Sequence, residues 1–315
     1  MSIKNWEIDL VYLWVDGKDP EWIKKKISIT GSLNDATEAN CKGRYLDNNE
    51  LKYSLRSVEL YAPWIRKIFI VTDDQQPEWL NTNHPKINII NHSEILVKEA
   101  IPCFNAIVIE HFIHKIAGLS EYFLFANDDM FINKPVAPHD FFDNTGKPII
   151  RAIYNPFDSL ISLVKRKLNK QNNFYRQSIA NAAKLIKSHT KQRFSALPHH
   201  NMDAYSKSVI VQANENIFMN EIKATYTNHV RHSSDIQRAI YAFYTLTLKK
   251  GRLRYVSRYE SCRIRLQNSN YMYYINKYKP MFFCLNDTQY TTDEDRKKIK
   301  PFLMTLFPKK SEFEK

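Results

Sequence analysis

The first half of the chain alternates short apolar runs with amphipathic stretches. Residues 8–15 (IDLVYLWV) are apolar after Asp9 and read as a strand. Residues 47–60 (DNNELKYSLRSVEL) put Leu51, Leu55 and Val58 on one helical face, and Asp47 with Glu50 three positions on has capping-box spacing. Residues 67–74 predict a second strand and 87–92 a third. A helix is predicted over 104–119 through Phe104, Ile107, Val108, Phe112 and Ile116, then a strand over 122–128. Strand–helix–strand order with nearly all-apolar strands predicts an α/β fold with a mostly parallel sheet covered on both faces. The second half predicts helices over 174–188, 203–220, 234–248 and 293–306 and a strand over 252–259. The expectation is one compact catalytic unit. Its α/β half is 1–158, and a mainly helical half, 159–315, packs over one end of the sheet.

The chain has 315 residues and 43% hydrophobic content, enough for a substantial core. No apolar run approaches the ~20 residues needed to span a bilayer, and the first residues lack the charged-then-apolar pattern of a signal peptide. Cys41, Cys103, Cys262 and Cys284 are far apart with no CxxC pair, which predicts reduced thiols in a cytoplasmic protein. Charge is the asymmetric feature. Residues 1–158 carry 17 Lys+Arg against 22 Asp+Glu, net −5, whereas 159–315 carry 29 against 11, net +18. Between Ser159 and Met202 there are nine basic residues and no acid. Such a half either meets something anionic (a phosphorylated substrate, phospholipid headgroups, nucleic acid) or is simply a solvated basic surface.

In an open α/β sheet, ligands bind beyond the carboxyl ends of the strands. Three predicted strands end in carboxylates there: Asp16, the pair Asp73 and Asp74, and the pair Asp128 and Asp129. Adjacent carboxylates repel by roughly 1 kcal/mol in water at ~4 Å and about 4 at an effective dielectric of 20. A cation compensates, and hard oxygen ligands suit Mg²⁺ or Mn²⁺; the plainer reading makes Asp128 and Asp129 turn residues. Ser233 or Ser234 is placed to cap the helix predicted from 234, which would set Arg231 and His232 at a helix N-terminus suited to phosphate; an incidental capping loop is the alternative. His199 and His200 are structural or catalytic. Asn286 and Asp287 read as a metal- or phosphate-side pair or as a loop before the last helix.

Four stretches together resemble one family. Residues 8–22 (IDLVYLWVDGKDPEW) are similar to the first block of the Stealth phosphotransferases, 44–81 continuing to 125–136 (FANDDMFINKPV) to the second, HHNMD at 199–203 through VRHSSDIQRAIYAFY at 230–244 to the third, and 284–314, beginning CLNDTQYT, to the fourth. The resemblance implies a Rossmann-like, glycosyltransferase-A-related core and a divalent cation, Mg²⁺ or Mn²⁺. It assigns metal binding to Asp128, Asp129 and Asp287, catalytic roles to His200, Glu110 and Arg231, and phosphate- and nucleotide-side positions to Arg44 and Asp16. Asp74, His232 and Asn286 complete the expected substrate-binding set.

What this implies is a phosphotransferase of capsule or exopolysaccharide synthesis. A hexose- or N-acetylhexosamine-1-phosphate moves from a UDP-sugar to a glycan hydroxyl and UMP is released. The near-neutral intrinsic pKa of histidine makes His200 the expected base. The basic half would retain an anionic, phosphodiester-linked acceptor, or touch the anionic inner face of the membrane. A glycosyltransferase releasing UDP is the nearest rival. A nucleic-acid binder is the rival of another class, disfavoured because the basic residues show no recognised binding pattern.

Overall fold

The computed structural model describes residues 6–33, 37, 40–154, 174–194, 196–268 and 270–315. Part of the acid-free basic run, 159–173, therefore lies outside the described residues.

Strands β1 (Ile8–Leu13), β2 (Ile68–Thr72), β3 (Ile87–Asn91) and β4 (Tyr122–Asn127) run parallel in the order β3-β2-β1-β4. Their alternation divides the core. Val11, Phe69, Val71, Phe123 and Phe125 pack into one cluster with the helix Ala239–Thr247, while Ile8, Leu10, Tyr12, Ile68, Ile70, Leu124 and Ala126 pack into another with the helix Glu50–Tyr61. Side chains of period two on strands buried on both faces produce this division, and the predicted mostly parallel α/β sheet is the one observed.

After β4 the chain turns at Asp128 and Asp129 into β5 (Met130–Ile132), which leaves the main sheet and pairs antiparallel with β11 (Phe282–Asn286); β10 (Ser261–Arg265) adds to β11 in parallel. A third small sheet joins β6 (Ile149–Ile153), β7 (Leu197–Pro198) and β9 (Arg252–Tyr255), so the strand predicted over 252–259 stops at Tyr255. The second half thus contributes strands to all three sheets.

The sequence reading errs most at element boundaries. Residues 203–220 do not begin as a helix. Asp203–Ser206 form β8, antiparallel to β4, because Ala204 and Tyr205 each find a core cluster on opposite faces of the sheet. The stretch 104–119 holds only the helix Ala106–Glu110 and a short 3₁₀ turn at Ile113–Lys115. The His111 carbonyl accepts from Asn214 Nδ2 at 2.6 Å, and the following N–H groups bond three residues back. The helix predicted from 47 begins at Glu50 after Asn49 in a left-handed conformation (φ 67°), and Asp47 accepts from the Asn49 N–H rather than capping it. The predicted helix over 293–306 is two, Asp293–Lys297 and Ile299–Leu306.

Candidate active site

A cleft of about 1150 Å³ opens at the carboxyl edge of the parallel strands. The turn after β4 brings Asp128 and Asp129 to it, and β11 brings Asn286 and Asp287. Because β8 is antiparallel, its first residue, Asp203, pairs with Phe125 and reaches this same edge. His200 lines the cleft just upstream, and Glu110 enters from the last turn of Ala106–Glu110. Arg44, Arg231, Arg238, Arg263 and Arg265 are on the cleft wall. On β10, Cys262 and Ile264 are buried while Arg263 and Arg265 alternate with them outward.

The acidic pair is costly as it stands. Burial, then repulsion from Asp129, Glu50 and Asp47, holds the Asp128 carboxyl well above the usual carboxylate range. Burial pushes Asp129 up to about 6 despite a hydrogen bond from Cys284. That bond runs from Cys284 Sγ to Asp129 Oδ2 at 3.1 Å, while Asp129 Oδ1 is buried with no hydrogen-bond partner. An orphaned buried carboxylate oxygen beside a second acid fits a cation. Asp129, His200 and Cys284 also bring one ligand atom each within 4.8 Å of one another.

Opposite stands an ion-pair network. Arg238 Nη1 donates to Glu110 Oε1 at 2.7 Å and its Nε to Asp203 Oδ2 at 3.1 Å, with the guanidinium 4.7 Å from the Phe125 ring centroid. His199 Nε2 lies 3.2 Å from Asp203 Oδ1, and Ser261 Oγ sits 2.9 Å from His199 Nδ1. Burial raises the Glu110 pKa, with Arg238 and Arg231 opposing; its Oε2 is buried and unpartnered. His200 moves the other way. Burial first, then Arg263 and Arg238, push it down to about 3, so the imidazole is neutral.

The remaining sequence candidates divide. Arg44, Arg231 and Asn286 line the cleft. Asp287 lines it too, but both its oxygens accept from Arg296, at 2.7 and 3.0 Å, and it abuts Gly43, where a Cβ would collide. Asp16, Asp74 and His232 are not among the lining residues. Asp16 accepts from the Lys18 N–H and its backbone is tied to Gln75; Asp74 is exposed in a positive-φ turn (57°) beside Lys25. Arg231 and His232 are not at a helix N-terminus, since the helix starts at Ala239. Asp235 instead accepts from the His232 N–H, Asn105 and Asn228 and closes the loop on itself. Ser234 bonds His232 Nδ1 rather than capping a helix.

Two residues escaped the sequence reading. Arg238 sits inside the apolar stretch IQRAIYAFY, where a lone arginine implies a buried carboxylate partner. Cys284 was read only as a reduced thiol; all four cysteines are buried, and Cys284 is a free thiol.

A sheet edge carrying half-buried acids thus shares one cleft with several arginines in an α/β protein. Models of Stealth conserved region 1 match residues 7–33, region 2 residues 44–150 and region 4 residues 274–315. A capsular polysaccharide phosphotransferase of Neisseria meningitidis serogroup B is 30% identical over 300 residues, 91% of this chain and 78% of that protein. The chain belongs to the Stealth family of sugar-phosphate transferases. An exopolysaccharide phosphotransferase of Streptomyces coelicolor is 47% identical over 150 residues, 47% of this chain, and the match spans only 25% of that relative's length. Among solved structures, a galactosyltransferase LgtC complex with donor and acceptor sugar analogs aligns at TM-score 0.45 and 10% identity, over 94% of this chain and 95% of that one.

Proposed function

We propose that the chain transfers a hexose- or N-acetylhexosamine-1-phosphate from a UDP-sugar to a glycan hydroxyl, in capsule or exopolysaccharide synthesis. The carrying observation is the half-buried pair Asp128 and Asp129, with a buried, orphaned Asp129 oxygen, lining one cleft with Arg231, Arg238 and Arg263. Relatives named as capsular and exopolysaccharide phosphotransferases support the same reading.

The acceptor oxygen attacks the sugar-side phosphorus. A new O–P bond forms and the P–O bond to the uridylate phosphate breaks, so UMP leaves. The sugar C1–O bond is untouched and anomeric configuration is kept. Positioning and charge stabilisation do most of the work. A divalent cation held at Asp129, with Asp128 beside it, would neutralise the diphosphate. Arg231 and Arg44 offer planar forks to non-bridging oxygens. The acceptor proton goes to Glu110. Its raised pKa and free Oε2 make it a stronger base than an ordinary carboxylate, whereas His200, pushed down to about 3, has lost the near-neutral titration that recommended it. The membrane as a second partner rests on the basic second half alone. Among the described residues no helix is long and apolar enough to cross a bilayer.

Asp129→Asn should keep the fold and abolish transfer at saturating Mg²⁺ or Mn²⁺. Full activity in that variant would remove Asp129 from the metal role.

A further inference from the structure

We propose that Asp129, His200 and Cys284 form a mixed oxygen, nitrogen and sulfur site that binds a borderline-soft divalent cation of the Zn²⁺ or Co²⁺ class more tightly than Mg²⁺. The inference rests on the reading of Asp129 as a metal ligand and changes what surrounds the ion.

The three ligand atoms lie within 4.8 Å of one another. Bond lengths of about 2.0 to 2.3 Å to oxygen, nitrogen and sulfur put ligand atoms around one tetrahedral ion on the order of 3.5 Å apart. Closing the cluster therefore takes side-chain adjustment and no rearrangement of strands. Each ligand comes from a different rigid place: Asp129 from the β4–β5 turn, Cys284 from β11 directly opposite Met130, and His200 from the segment entering β8. Met130 immediately follows Asp129, so the β5–β11 ladder fixes the thiol against that carboxylate. The Leu285 N–H donates to the Asp129 carbonyl at 3.0 Å and locks the register from the other side.

The donor set decides the metal. Mg²⁺ takes oxygen ligands and keeps its waters, while thiolate and imidazole favour zinc and its neighbours. Asp287, the carboxylate expected to complete an oxygen set, is held by Arg296 through both oxygens. Asp129 Oδ1 has no hydrogen-bond partner, and the contact Oδ2 does receive is from the thiol itself. When the ion enters, the Cys284 proton is released to solvent and sulfur takes its place as ligand. Three protein ligands leave a further position for a substrate oxygen.

Co²⁺ added to metal-stripped full-length protein should produce an intense near-ultraviolet thiolate-to-cobalt band, which Cys284→Ser should lose. Zn²⁺ affinity, measured against a chromophoric chelator, should fall at least about tenfold in Cys284→Ser and exceed that for Mg²⁺ in the wild type. Zinc-edge X-ray absorption of the wild type, which needs no variant, should show one sulfur at about 2.3 Å. Co²⁺ binding without the band, a band that survives Cys284→Ser, or an all-oxygen and nitrogen shell would overturn the mixed site while leaving sugar-phosphate transfer intact. Binding of neither Co²⁺, Mn²⁺ nor Mg²⁺ would overturn both.

Discussion

Arg238 donates to Glu110 across 128 positions of sequence, with Nη1 2.7 Å from Oε1. The same guanidinium reaches Asp203 at 3.1 Å, so one cation balances the buried Glu110 and the half-buried Asp203. Removing one partner of a buried pair leaves charge uncompensated, typically costing about 3–5 kcal/mol. Arg238→Met should therefore destabilise the fold on that scale in a urea titration. Adding Glu110→Gln should recover part of the loss, because contacting residues are not additive. A double-variant loss equal to the sum of the two single-variant losses would mean that the pair is not coupled.

Glu50 gives the metal-free protein a pH signature. Burial, together with repulsion from Asp47, pushes its carboxyl up to about 7 from an ordinary 4.5. A raised folded pKa means that the native state binds the extra proton. The associated stability is complete below about 4.5 and is lost as pH rises through about 7. Asp129, at about 6, acts in the same direction. Thermal unfolding of metal-free protein should show stability falling across this window, and Glu50→Gln should flatten the fall. An unchanged slope in Glu50→Gln would contradict the assignment.

The chain terminus supplies a signature of opposite sign. Glu314 accepts from Arg56 Nε at 2.7 Å and Nη2 at 2.9 Å, and Lys52 Nζ lies 3.2 Å away. These partners outweigh burial and hold its carboxyl down at about 2. The stability is present above about 4.5 and is lost as pH falls toward 2. Charged hydrogen bonds contribute about 1.5–3 kcal/mol. Glu314→Gln should cost that order at neutral pH, less below pH 3, and leave activity per folded molecule unchanged. A loss of equal size at both pH values would rule out the ionised clamp.

What the sequence disclosed was local. The run FLFANDD announced both β4 and the charged turn because apolar residues meet two acids without an intervening spacer. The helix Glu50–Tyr61 was visible through Leu51, Leu55 and Val58, all buried. Features made by distant pairing were hidden. Asp203–Ser206 is a four-residue edge strand whose partner, β4, ends far upstream, so its own spacing resembles the start of a helix. Arg238 and Cys284 acquire their roles from Glu110 and Asp129, and nothing in the neighbouring residues of either names the partner. The lowered pKa of His200 has the same origin, since its burial, and then Arg263 and Arg238, come to it only through the fold.

The central claim is tested most directly by identifying the nucleotide released. The protein would be incubated with UDP-sugars, a divalent cation and a glycan acceptor, and the products separated by chromatography. Sugar-phosphate transfer predicts UMP, appearing only when acceptor and metal are both present. Release of UDP would mean that the glycosidic bond is broken, and would contradict attack on phosphorus at this site.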